Sequence, residues 1–230
     1  MLIRAAESLR PLLADVVFVG GCVAELLVTD RAAPRIRETD DVDAIVQVAT
    51  YSEYERLGAR LEKLGFARDM SPNAPACRWL TPAHELGRIK VDIMPTAESR
   101  IGPTNPWYDV GMSTSESFPL TQDLTIRLLS APAFLATKWA AFESRGRGDV
   151  VMSHDVEDII AVVAGRDSLL TEIAAAPREL RAHLVSCMAS FLDHEDADVA
   201  VEDALPDARL TPGIVTKTKS RLTAIARLEE

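Results

Sequence analysis

Two aspartates, Asp41 and Asp43, head the apolar run Ala44-Ile45-Val46. In a strand, residues i and i+2 point to one face, so these carboxylates project side by side. Two carboxylates held together repel unless a cation lies between them. Hard divalent cations take oxygen ligands and leave positions open for water or phosphate. Upstream, the apolar run Val16-Val17-Phe18-Val19 ends on Gly20-Gly21, and a helical segment follows from Cys22 to Val28. Backbone N–H groups at a helix start bind phosphate, and glycine lets the phosphate approach closely. Each feature alone has a plain reading: a Gly-Gly turn, or a solvated strand end. Together, around one short helix, they form the minimum apparatus for phosphoryl or nucleotidyl transfer.

A third carboxylate is placed by the alternation in Arg88-Ile89-Lys90-Val91-Asp92-Ile93-Met94. Ile89, Val91 and Ile93 face a core, while Lys90 and Asp92 share the other face of a strand that can pair beside the Asp41/Asp43 strand. An aspartate inside a sheet is costly unless it is paired or binds metal. Both options stay open for Asp92, with Lys90 or Arg88 as the paired alternative. Further on, Lys138 lies in the apolar run from Ala133 to Phe142, where a lysine either snorkels or meets an anion. Asp155 and Asp158 fall one turn apart on the next helical segment. Trp107 and Tyr108 can stack on a base or cover the core. Lys217, Lys219, Arg221 and Arg227 near the C-terminus form a solvated helix face or a nucleic-acid contact.

These residues need elements to position them. The pattern predicts a helix over 2–14, strands over 16–19 and 42–48, and a helix from Ser52, as N-cap, to Leu64, closed by Gly65. Short strands follow at 66–70 and 77–80, then the strand at 88–94. Residues 96–117, with Gly102-Pro103, Asn105-Pro106 and Gly111, read as a long loop or an insertion. A last strand covers 124–128. Helices are expected at 133–142, 154–163, 168–175, 178–192 and 213–228. A basic turn, Arg145-Gly146-Arg147-Gly148, separates the first two, and an acidic connector, 194–207, precedes the last. The expected fold class is α/β (α+β): a small mixed sheet flanked by helices over 1–130, then a helical region over 131–230.

Composition narrows the function classes. With 230 residues and 47% hydrophobic content the chain can bury a sizeable core. The formal net charge of −10 argues against a surface that coats nucleic acid, though a local basic groove is compatible with it. No apolar run reaches the roughly 18 residues of a membrane span. Cys22, Cys77 and Cys187 fit neither a disulfide framework nor a zinc site, so the expected location is the cytoplasm.

The order Gly20-Gly21, short helix, Arg37-Glu38-Thr39-Asp40-Asp41-Val42-Asp43, then Asp92 on a strand, resembles the DNA polymerase β-like nucleotidyltransferase superfamily. Within it, Lys138, Arg145 and Asp155-Val156-Glu157-Asp158 resemble the Lys…Arg…Asp-x-x-Asp signature of the AbiEii/AbiGii-type group, which includes MenT-type toxins. The resemblance covers about residues 16–166. It implies that Gly20, Gly21, Arg37, Thr39, Lys138, Arg145 and Asp158 bind the nucleotide, and that Asp41, Asp43 and Asp92 hold Mg²⁺ or Mn²⁺. It implies catalytic roles for Asp41, Asp43, Asp92, Lys138 and Asp155, with an NTP such as ATP as substrate. It also implies an RNA acceptor, a tRNA 3′ end being one candidate, and a cognate antitoxin as partner. Rival readings are transfer to a small molecule such as an aminoglycoside or lincosamide, and a catalytically silent nucleotide-binding protein.

Overall fold

The computed structural model describes residues 1–30, 33, 37, 39–48, 50–97, 104–145, 148–205 and 212–229. Glu38, Gly102, Pro103, Gly146, Arg147 and the end of the expected acidic connector lie outside the described residues. The chain divides into two compact units. One comprises Met1–Val23 and Glu38–Ser130; the other comprises Ala24–Arg37 and Ala131–Glu230.

The first unit begins with helix α1 (Leu2–Ser8), which ends ahead of a 3₁₀ turn over Arg10–Leu12. Pro11 sits inside that turn; lacking an N–H, it stops the single long helix that the periodicity suggests. Strand β1 (Val16–Val19) is buried at all four positions, as expected of β-branched and aromatic residues in mid-sheet. Strand β2 (Asp41–Val46) pairs antiparallel with it. Helix α3 (Tyr51–Lys63) follows; the label α2 is kept for a short helix of the second unit, Ala24–Leu27. Thr50, not Ser52, is its N-cap. The Thr50 hydroxyl accepts from Glu53 N–H while the Glu53 carboxylate accepts from Thr50 N–H, a capping box that outcompetes a lone serine. Gly65, at φ +85°, turns the chain out of the helix.

Strands β3 (Ala67–Arg68), β4 (Arg78–Leu80) and β5 (Lys90–Pro95) form the next part of the sheet. Residues 96–117 are not one long loop. They contain helix α4 (Tyr108–Ser113) and lead into strand β6 (Glu116–Pro119), which pairs with β7 (Thr125–Leu128). Tyr108 is buried in α4, where its hydroxyl meets the Met94 sulfur at 3.4 Å. The sheet has seven strands in the order β3-β4-β5-β2-β1-β7-β6. It is mixed: β2 runs parallel to β5 and β1 parallel to β7, and the other neighbours are antiparallel. Helix α3 is tied to it where the buried Tyr54 hydroxyl donates to the Ile93 carbonyl at 2.9 Å. Such a bond contributes about 1 kcal/mol net.

The second unit is helical. Helix α5 (Ala131–Ser144) is buried from Ala131 to Trp139, so it has no polar face over that stretch and serves as the unit's axis. It packs against α6 (His154–Gly165), α7 (Leu169–Ala175) and α8 (Arg178–Leu192). The acidic connector contains helix α9 (Ala197–Asp203): Ala197, Ala200 and Val201 supply a small buried stripe that the surrounding charge conceals in the sequence. Helix α10 (Ile214–Ala226) packs on α6 and α8. Its Arg221 donates to the Val163 and Ala164 carbonyls, satisfying the C-terminus of α6. That arginine is a helix cap. The expected fold class, a mixed sheet flanked by helices with a helical region after it, is what the structure has.

Candidate active site

The two central strands β2 and β5 run parallel, with Asp43 directly opposite Asp92. Asp41 lies two residues before Asp43 and so shares its face. Carboxylate oxygens from Asp41, Asp43 and Asp92 all lie within 4.8 Å of one another. Asp92 is buried and the other two are half-buried. Three hard oxygen donors gathered this closely are a set that could hold a divalent cation, and the half-exposed side leaves room for water or phosphate oxygens. The donor set therefore fits a divalent cation.

Sequence reasoning missed the cation that the protein itself places here. Arg78, on β4, is the antiparallel partner of Asp92 on the other side of β5. Its Nε donates to Asp92 Oδ1 and its Nη2 to Asp92 Oδ2, both at 2.7 Å, and Nη2 also reaches Asp41 Oδ2 at 3.0 Å. Neither Lys90 nor Arg88, the partners considered from sequence, fills this role. The signal was register: Arg78 and Asp92 face each other across a β4–β5 pairing that strand boundaries alone do not align. The hydrogen bonds to Asp92 raise the Arg78 guanidinium above its ordinary range against the opposing effect of burial, so it is a permanent cation.

Gly20 follows β1, whose Val19 pairs with Asp43. It adopts φ +71°, and a Cβ built there would overlap the Asp43 carboxylate. In this structure Gly20 makes room for an aspartate. Gly21 starts a 3₁₀ turn, Gly21–Val23, which α2 continues along the chain. The Thr39 hydroxyl donates to the Asp41 carbonyl at 3.2 Å, steadying the start of β2.

The remaining sequence-predicted residues gather in the second unit. Lys138 on α5 is buried, with Nζ 2.6 Å from Asp158 Oδ2 and 3.2 Å from Asp155 Oδ1, both on α6. Arg145 donates to the other Asp155 oxygen. Burial alone would push the Lys138 ammonium down; Asp158 and Asp155 outweigh it and hold it above its ordinary value. Ser153 caps α6 by accepting from Val156 N–H, which fixes Asp155 and Asp158 in the first turns. The buried carboxylates of Asp155 and Asp158 face the buried Lys138, and the exposed Arg145 completes the charge balance at the surface. Arg37 lies 3.9 Å from the Glu157 carboxylate.

No family model matches the sequence, and no curated protein matches it significantly. Solved structures do resemble it. JHP933 from Helicobacter pylori shares 15% identity at a TM-score of 0.47, covering 98% of this chain and 89% of that one. An antigenic nucleotidyltransferase-like protein from Paracoccidioides brasiliensis shares 20% identity at a TM-score of 0.51, covering 84% of this chain and 88% of that one. The likeness to the latter is one of fold: the architecture that carries the three aspartates here is that of a nucleotidyltransferase-like protein.

Proposed function

We propose that the protein is a metal-dependent nucleotidyltransferase that moves an NMP from an NTP to a hydroxyl acceptor. The observation that carries this reading is the trio Asp41, Asp43 and Asp92, held within 4.8 Å on two adjacent parallel strands of a nucleotidyltransferase-like fold. Asp41 and Asp43 would hold the cation, with Asp92 completing the set. A bound divalent ion would neutralise the phosphate charge and orient the attacking oxygen. The acceptor oxygen bonds to the α-phosphorus, the α–β bridging P–O bond breaks, and pyrophosphate leaves with that electron pair. The hydroxyl proton passes to a base. Both Asp92 oxygens accept from Arg78, so Asp92 would take that proton only on a remaining lone pair. On the sequence resemblance alone, Lys138 and Arg145 are assigned to the triphosphate; within the second unit, Asp155 and Asp158 would position Lys138.

The sequence resemblance makes RNA the first acceptor to test, with a tRNA 3′ end and a toxin setting. The formal net charge of −10 favours a second acceptor class, a cationic small molecule such as an aminoglycoside. One assay tests both. The protein is incubated with Mg²⁺, each of the four labelled NTPs, and either total RNA or aminoglycoside and lincosamide acceptors. Label is expected to move to one acceptor class, and Asp41→Ala with Asp43→Ala should lower the rate by on the order of 10³-fold. No transfer by the wild type, or equal transfer by the double variant, rejects the reading.

A further inference from the structure

Arg78 is unusual among the site's neighbours. It touches two of the three carboxylates at once, and its side chain is only 19% exposed. A guanidinium fork on a carboxylate is the strongest geometry available to a protein cation. Three carboxylates and one guanidinium leave two negative charges, the complement of a single divalent ion. A second divalent ion bridging Asp41 and Asp92 would have to share oxygens already donated to, beside a fixed positive charge that repels it.

We propose that Arg78 is the resident counter-cation of the aspartate cluster: it holds Asp92 and Asp41 in place and competes with a divalent ion for them, so that the nucleotide-free protein binds metal more weakly than its three carboxylates alone would. The inference rests on the metal-dependent reading above. It gives Arg78 a tuning role that differs in sign from a merely structural one. If Arg78 only positioned Asp92, removing it would loosen a ligand and weaken metal binding. If it competes, removing it strengthens binding. The register explains why the role falls to this residue: Arg78, Asp92 and Asp43 stand in one row across β4, β5 and β2, so their side chains share one face of the sheet.

The test is a Mn²⁺ titration of the whole chain, following free Mn²⁺ by electron paramagnetic resonance, with circular dichroism to confirm folding. Arg78→Met, which keeps the apolar stem, is expected to bind Mn²⁺ about tenfold more tightly than wild type, or to take up an additional ion. Arg78→Lys keeps the charge but loses the fork, and should fall between the two. Equal or weaker binding by folded Arg78→Met overturns the proposal. Should that variant fail to fold, equal or weaker binding by Arg78→Lys overturns it instead. Asp43→Asn serves as control. Wild-type binding that Asp43→Asn abolishes, with no tightening on loss of Arg78, rejects the tuning role and leaves the metal-dependent reading standing. No Mn²⁺ binding by wild type or any Arg78 variant up to about 1 mM rejects both.

Discussion

Gly20 shows how a single residue can matter for a reason that its local sequence does not reveal. Beside the phosphate-cradle reading that a glycine after a strand invites, its missing side chain leaves space for the Asp43 carboxylate, and its φ of +71° is one that other residues adopt at a cost of about 1–2 kcal/mol. Gly20→Ala is therefore expected to displace Asp43. Mn²⁺ affinity should fall by roughly 10–100-fold, the range typical when a supporting group is lost, with only a modest drop in melting temperature. A titration showing wild-type affinity would mean that Asp43 does not depend on Gly20. The three aspartates could be picked out from sequence because strand periodicity is short-range and Asp92 sits in a clean alternation. Arg78 could not, because its partner is fixed by a pairing between strands, and register is a property of two segments together.

At the scale of elements, the sequence spoke clearly wherever the hydrophobic period was unbroken. α3, α6 and α8 follow from their apolar stripes, and β1 and α5 from unbroken apolar runs. α4 and α9 did not, because each is short and its buried positions are surrounded by Gly, Pro or acidic residues that dominate the local pattern. The cluster joining α5 to α6 is the element-level feature with a measurable consequence. Lys138→Met removes the cation facing two buried carboxylates and should destabilise the protein by about 3–5 kcal/mol, because Asp158 then lies buried without its counter-charge. Adding Asp158→Leu should recover much of that loss, since a buried pair replaced by apolar groups of similar size is often close to neutral. Chemical denaturation of the single and double variants reads the difference. If the double variant regains stability but not nucleotidyl transfer, the Lys138–Asp158 pair is needed for more than packing. Recovery of both would reduce the cluster to structure.

At the scale of the whole molecule, the core carries acids that stay neutral only while the chain is folded. Burial pushes the Cys77 thiol from 9.0 to about 12 and the Tyr54 hydroxyl from 10.0 to about 12, and it raises Cys187 and Tyr108 as well. Unfolded, these groups release protons from about pH 9 upward, while the native chain keeps them. The unfolded state then binds fewer protons than the native one, and stability falls as pH rises. Lys138 acts in the same direction: its raised value contributes stability below its ordinary 10.5 that is lost as pH climbs through the folded value. The net charge of −10 adds self-repulsion that grows along the same path. The guanidinium chloride midpoint should therefore be lower at about pH 10.5 than at about pH 8, and Cys77→Ala should flatten the dependence by removing one of the titrating groups. The two buried thiols should also resist alkylation at about pH 8.5 in the native state and react once the chain is unfolded, because the nucleophile is the thiolate. A midpoint that does not change between those pH values would mean that the core opens to solvent far more readily than the burial of Cys77, Tyr54 and Cys187 implies.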